Sequence, residues 1–212
     1  MAVKAVVFDV GRVLYDWDRR YLFEKLIGDR EELDRFLRDV VPLDWHDQHD
    51  AGRPIGAMIE ERVSQFPAHE RLLHAYRDRW LETIPGPVPG VHRLVEQLAD
   101  RGVSLFAITN FGADFWAMFR PTAPIFDHFS DIVVSGIEKV TKPGDAIYRL
   151  ALERFGLAPG EGFFIDDSLP NVEAARANGF VAHHFTDAET LRVALTTLEL
   201  LPGQADDMEH IG

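Results

Sequence analysis

Val3-Lys4-Ala5-Val6-Val7-Phe8-Asp9-Val10-Gly11-Arg12 is the stretch that decides the fold. The apolar run through Phe8 reads as a buried strand, and Asp9 stands at its mouth. An open α/β sheet places its chemistry at the carboxyl ends of its strands. Three later segments read as the ends of similar elements: Thr109-Asn110, Lys142-Pro143 and Asp166-Asp167. Two residues after Asp9, where a second catalytic carboxylate would be useful, the chain has Gly11.

Outward from that strand, the second half alternates strand and helix patterns. Helices are predicted over 90–101, 113–119, 146–155, 170–178 and 188–198, with Gly102, Gly156 and Gly179 as stops and Ser168 as an N-cap. Strands are predicted over 103–108, 131–134, 163–165 and 181–183. The helix at 146–155 puts Ile147, Leu150, Ala151 and Phe155 on one face. Such alternation implies a parallel sheet with helices on both faces. Between Asp18 and Ile84 the pattern is helical, with about four stretches (19–27, 31–41, 55–66 and 69–81) that read as a small inserted bundle. The expected organisation is a core of 1–17 and 85–202, an inserted helical domain of 18–84, and a frayed polar tail of 203–212. Tyr15-Asp16-Trp17-Asp18 and Pro85-Gly86-Pro87-Val88-Pro89-Gly90 are the expected hinges.

Composition narrows the function classes. The 212 residues are 46% hydrophobic, enough for a real core, and carry 22 Lys+Arg against 35 Asp+Glu, a formal net charge of -13. Such a surface repels nucleic acid and anionic membranes, so neither is an expected partner. An anionic substrate would need its own local positive groups. The absence of cysteine excludes disulfides, thiolate metal ligands and a cysteine nucleophile. No signal peptide is visible, and no apolar run approaches the roughly 18 residues of a membrane span, so a cytoplasmic monomer or homodimer is expected.

Parallel strands aim their carboxyl ends at one edge, so Asp9, Thr109, Lys142 and Asp166-Asp167 are expected to share a crevice. Asp9 can serve as a nucleophile. Asp9 and Asp167 can bind a hard cation such as Mg²⁺. Lys142 can neutralise transferring charge, and the Thr109 hydroxyl with backbone N–H groups near Asn110 can hold anionic oxygens. Singly, each residue reads as readily as a turn or cap. The adjacent carboxylates Asp166-Asp167 are the stronger signal, because they repel unless a cation or donors meet them.

Phe8-Asp9-Val10-Gly11, Ile108-Thr109-Asn110, Thr141-Lys142-Pro143 and Phe164-Ile165-Asp166-Asp167-Ser168 resemble the four ordered motifs of the haloacid dehalogenase-like hydrolases. The insertion resembles the helical cap that one subgroup carries after its first strand, and the likeness spans nearly the whole chain. The resemblance implies a Rossmann-like, doubly wound parallel sheet with an inserted helical-bundle cap. It also implies Mg²⁺-dependent hydrolysis of a small phosphorylated metabolite through an aspartyl-phosphate on Asp9. Asp9, the Gly11 carbonyl and Asp167 would hold the metal, with Asp166 acting through water; Gly11, Arg12, Thr109, Asn110 and Lys142 would cradle the phosphate.

Gly11 departs from the pattern, since the family's phosphatases usually have an Asp there as general acid. Such help is worth roughly 10²–10⁴-fold. A substrate with a good leaving group, such as a sugar 1-phosphate, would suit, and members resembling glucose-1-phosphatase share the spacing of Asp9, Gly11, Val13, Asp16 and Asp18. Asp16 or Asp18 could stand in as the acid, or Asp18 could simply cap the helix that begins at Arg19. The 2-haloacid dehalogenases, which need no metal, also lack the acid, but Asp166-Asp167 would repel their carboxylate substrate. A binding protein with lost turnover is a third reading. Trp45, His46, Gln48, His49 and Arg53 are expected on a loop between cap helices that contacts substrate. His183-His184 face opposite ways on a strand and so do not read as a metal pair.

Overall fold

The computed structural model describes residues 2–203; the expected tail falls, from 204 on, outside them. Strand β1 (Ala5–Phe8) is followed by a two-residue strand β2 (Tyr15–Asp16) and then by helices α1 (Arg20–Phe23), α2 (Arg30–Arg35), α3 (Leu43–Asp50), α4 (Ile55–Gln65) and α5 (Glu70–Asp78). The chain returns through β3 (Gly86–Pro87) to α6 (Val91–Asp100), β4 (Ser104–Thr109), α7 (Ala113–Phe119), β5 (Asp131–Val134), α8 (Ser135–Glu138) and α9 (Asp145–Phe155). It ends with β6 (Gly162–Asp166), α10 (Leu169–Ala177), β7 (Val181–His184) and α11 (Ala188–Thr197).

Among the described residues the main sheet has five parallel strands in the order β5-β4-β1-β6-β7. β1 is therefore central: Phe8 is level with Ala107 on one side and Ile165 on the other. Alternate β1 residues feed two cores. Val6 and Phe8 pack with Leu94, Val95 and Leu98 of α6 and Leu191 and Leu195 of α11. Ala5 and Val7 face Ile147, Tyr148, Ala151 and Phe155 of α9 and Ala175 of α10. A strand buried on both faces has no polar alternation, which is why β1 reads as an unbroken apolar run. The doubly wound arrangement is the expected one. α9 stops at Gly156, whose φ of 65° suits a left-handed C-terminal position.

The inserted segment differs in detail from the expected one. α2 runs on into a π-helical turn over Phe36–Val40. The stretch around Trp45 and His49 is not a loop: it is α3. Its buried side chains include His46, His49 and Asp50, so no apolar period marks it in the sequence. The stretch expected as one helix over 69–81 breaks at Arg79, and Trp80–Thr83 forms a separate 3₁₀ turn. At the two crossings β2 and β3 pair antiparallel, Tyr15 with Pro87 and Asp16 with Gly86. Ser168 occupies the N-cap position of α10 without a side-chain bond; the Asp166 carboxylate accepts its N–H instead, at 2.8 Å.

Candidate active site

Three strand ends and one loop deliver the site. Asp9, Thr109 and Asp166 are buried at the ends of β1, β4 and β6, and Lys142 is buried in the loop between α8 and α9. Lys142 Nζ lies 2.8 Å from Asp9 Oδ1 and 2.6 Å from Asp166 Oδ2. The Val10 N–H also donates to Asp9 Oδ1, at 2.6 Å. One ammonium thus bridges two neighbouring strands.

Asn110 sets the position of that lysine. Its Nδ2 donates to the Lys142 carbonyl at 2.9 Å, and its Oδ1 accepts the Lys142 N–H at 2.8 Å. Both ends of the carboxamide meet the backbone, so Asn110 fixes the loop that carries Lys142. Asn171, on α10, was not singled out as a site residue from the sequence. Its Nδ2 lies 3.0 and 3.1 Å from the two oxygens of Asp166. Asp166 therefore meets Lys142, Asn171 and Ser168 N–H at once, which explains how a fully buried carboxylate is tolerated. Only the spacing of Asn171 after Asp166, one helical turn on, hints at it.

Oxygens of Asp9, Asp166 and Asp167 all lie within 4.8 Å of one another. Three carboxylates against one buried ammonium leave excess negative charge. Burial pushes the Asp9 carboxyl up, and Asp166 and Asp167 push it further against the pull of Lys142. Burial and Asp166 likewise raise Asp167. Lys142 is pulled down by burial, but Asp166 and Asp9 outweigh that and hold it charged. The donor set is hard oxygen at close range with charge to spare, which fits a small divalent cation.

Asp167 opens onto a cavity of about 210 Å³, which the buried Asp9, Thr109, Lys142 and Asp166 do not themselves line. The core contributes Val10, Gly11, Arg12, Asn110, Phe111, Asp167 and Ser168; the crossings and the inserted helices add Tyr15, Trp17, Leu43, His46, Asp47, Asp50, Trp80 and Ile84. The Arg12 guanidinium sits over the Trp17 ring, 5.8 Å from its centroid. A Cβ added at Gly11 would meet nothing within 4 Å, so the place of the missing acid is open space.

Several expected site residues lie elsewhere. Trp45, His49 and Arg53 do not line the cavity. Trp45 is buried against Tyr76 and covered by Arg62. His49 is buried against Phe115, with Nδ1 bonded to the Arg53 carbonyl at 2.7 Å. Arg53 pairs with Glu61 on the outer surface. The opposite face of α3, with His46, Asp47 and Asp50, is the one that meets the cavity. Asp16 accepts the Tyr21 hydroxyl at 2.6 Å, and Asp18 accepts the Arg20 N–H at 2.8 Å. Neither is among the residues that line the cavity, and the Asp18 bond is the cap expected for the helix that follows it. His183 is half-buried against Phe163, whereas His184 Nε2 bonds the Asp167 carbonyl at 2.9 Å.

The family model for haloacid dehalogenase-like hydrolases matches residues 3–179. The chain belongs to that family. Among relatives it is similar to a sesquiterpene phosphatase of Aspergillus oryzae, 29% identical over 192 residues, 87% of this chain and 91% of the other. It is also similar to a phosphorylated carbohydrates phosphatase of Thermotoga maritima, 26% identical over 89% of this chain and 90% of that one. A family enzyme from Bacteroides thetaiotaomicron, solved with magnesium and inorganic phosphate, superposes with a TM-score of 0.68 at 22% identity, over 88% of this chain and 96% of the other. The shared fold places the ordered motifs of a haloacid dehalogenase-like hydrolase at the ends of β1, β4 and β6 and in the loop before α9.

Proposed function

We propose that this hydrolase is a Mg²⁺-dependent phosphatase that cleaves a small phosphomonoester through an aspartyl-phosphate on Asp9. The observation that carries this reading is the convergence of Asp9, Asp166 and Asp167 around the Lys142 ammonium. The phosphatase names of the relatives and the magnesium and phosphate of the Bacteroides enzyme support it. Asp9, Asp167 and the Gly11 carbonyl would hold the cation, with Asp166 behind them. The cation supplies Lewis-acid neutralisation of the phosphoryl oxygens and lowers the pKa of the carboxyls around it. Asp9 attacks phosphorus in line. Val10 N–H and Lys142 both meet its Oδ1 and so orient the carboxylate. Arg12, the cation of the cavity wall, faces the dianionic ester. Two carboxylates beside the nucleophile would repel a carboxylate substrate, which argues against the dehalogenase reading.

The leaving group meets a largely apolar wall: Tyr15, Trp17, Leu43, Trp80, Ile84 and Phe111. The apolar side of that wall suits an ester with an apolar leaving group, while His46, Asp47 and Asp50 offer polar partners beside it. The test is phosphate release from 4-nitrophenyl phosphate with Mg²⁺ present and with chelator. Wild type should turn over only with the metal, and Asp9→Asn should be inert. Metal-dependent activity surviving in Asp9→Asn would remove the nucleophile assignment.

A further inference from the structure

Asp50 is a buried carboxyl that the scheme above does not use. It lies at the end of α3 and lines the same cavity as Gly11 and Asp167. Its backbone is pinned, since its carbonyl accepts the Ser135 hydroxyl at 2.6 Å. Among the described residues its carboxyl has no cation within salt-bridge distance except the nearby His46 ring, whose Nε2 is 3.6 Å away. That ring is itself kept neutral by burial, with a pKa taken down to about 3. Lys142, the closest ammonium in the core, is engaged by Asp9 and Asp166.

We propose that Asp50 is the general acid of this enzyme, supplied by the cap helix in place of the residue missing at Gly11. The proposal rests on the phosphatase reading. As Asp9 forms its bond to phosphorus, the bond from phosphorus to the leaving oxygen breaks. The Asp50 carboxyl gives its proton to that oxygen, and the alcohol departs neutral. A water then attacks the phosphorus of the aspartyl-phosphate and passes one proton to the Asp50 carboxylate, while the bond from phosphorus to the Asp9 oxygen breaks and its electron pair returns to the Asp9 carboxylate. Inorganic phosphate leaves, and both aspartates return to their starting states. One carboxyl acts first as acid and then as base, as microscopic reversibility requires.

The surroundings keep the proton in place. Burial, reinforced by Asp47 on the same helix and Asp9 at the end of β1, takes Asp50 up to about 8, against the Gly112 amide and the more distant Lys142. Tyr76 of α5 feels the same carboxyl. On α7, Asp114 is spent on the Ile55 N–H. On α8, Glu138 is paired with Arg154, and Lys139 lies against Gly52. None of these neighbours offers Asp50 a salt bridge.

The test compares 4-nitrophenyl phosphate, whose leaving oxygen scarcely needs a proton, with benzyl phosphate, whose leaving oxygen does. In Asp50→Asn with Mg²⁺, release of 4-nitrophenolate in the first turnover should persist within a few-fold, while release of benzyl alcohol in the first turnover falls by about 10²–10⁴-fold; later turnovers of both esters should slow, because both share the hydrolysis of the aspartyl-phosphate. Asp50→Glu should restore part of that ratio, and it serves if the Asn variant melts early. Equal losses on both esters in that first turnover would mean a packing role and would overturn the proposal. So would a changed ratio in Asp47→Asn but not in Asp50→Asn. Wild-type protein that releases phosphate from neither ester would instead overturn the phosphatase reading beneath it.

Discussion

Lys142 joins two buried carboxylates, so its removal has a cost apart from chemistry. Lys142→Met leaves Asp9 and Asp166 facing each other without a cation, and breaking a buried pair costs about 3–5 kcal/mol. Chemical denaturation should show a loss of that order, and a second change, Asp166→Asn, should recover part of it. Unchanged stability in Lys142→Met would mean that both carboxyls are already neutral in the folded protein. Gly11 gives the converse experiment. Nothing lies within 4 Å of a Cβ there, and Gly11→Asp should rescue benzyl phosphate turnover in the Asp50→Asn protein. Several of these residues are legible in the sequence because each follows an apolar run directly: Asp9, Thr109 and the Asp166-Asp167 pair. Asn171 and Asp50 are not, because each reaches the site from a helix whose position only tertiary packing decides.

At the scale of the element, α3 shows why the cap was harder to read than the core. Its inward positions are filled by His46, His49 and Asp50 rather than by leucines, so hydrophobic periodicity is silent. The same choice makes its stability depend on pH. Burial takes His46 down from 6.5 to about 3 and Asp50 up from 3.8 to about 8. Below 6.5 the unfolded chain binds a proton at His46 that the folded chain refuses, so acid destabilises. Above 3.8 the folded chain retains a proton on Asp50 that the unfolded chain has released, so rising pH destabilises until about 8. Between 3.8 and 6.5 the two slopes cancel; above 6.5 only that of Asp50 remains. With Mg²⁺ saturating, the protein should lose roughly 1.4 kcal/mol per pH unit between pH 6.5 and 8. Asp50→Asn should abolish that slope. A wild-type profile that is flat there by thermal melting would count against the buried neutral carboxyl.

For the whole molecule, the alternation of strands and helices is what the sequence displays most clearly, because helices cover both faces of a parallel sheet and make its strands continuously apolar. The β2–β3 ribbon is the opposite case. Its two-residue strands lie far apart in the chain and have no period of their own. Where the cap helix meets the core, the fit is tight: a Cβ at Gly112 would fall 1.9 Å from His49 Cδ2. Gly112→Ala therefore should push α3 away from the start of α7, costing about 1–3 kcal/mol and raising KM for both esters. Calorimetry and steady-state kinetics check the two halves of that expectation. The ribbon carries a further consequence. The inserted helices leave the core and rejoin it through two paired segments, so the sheet has one doorway for everything between them. A different set of helices, longer or shorter, can be spliced in at that doorway while β1 stays level with β4 and β6. Such a change would leave Asp9 in place at the end of β1. If the acid resides in the inserted helices, each exchange also rewrites which bonds the old nucleophile can break.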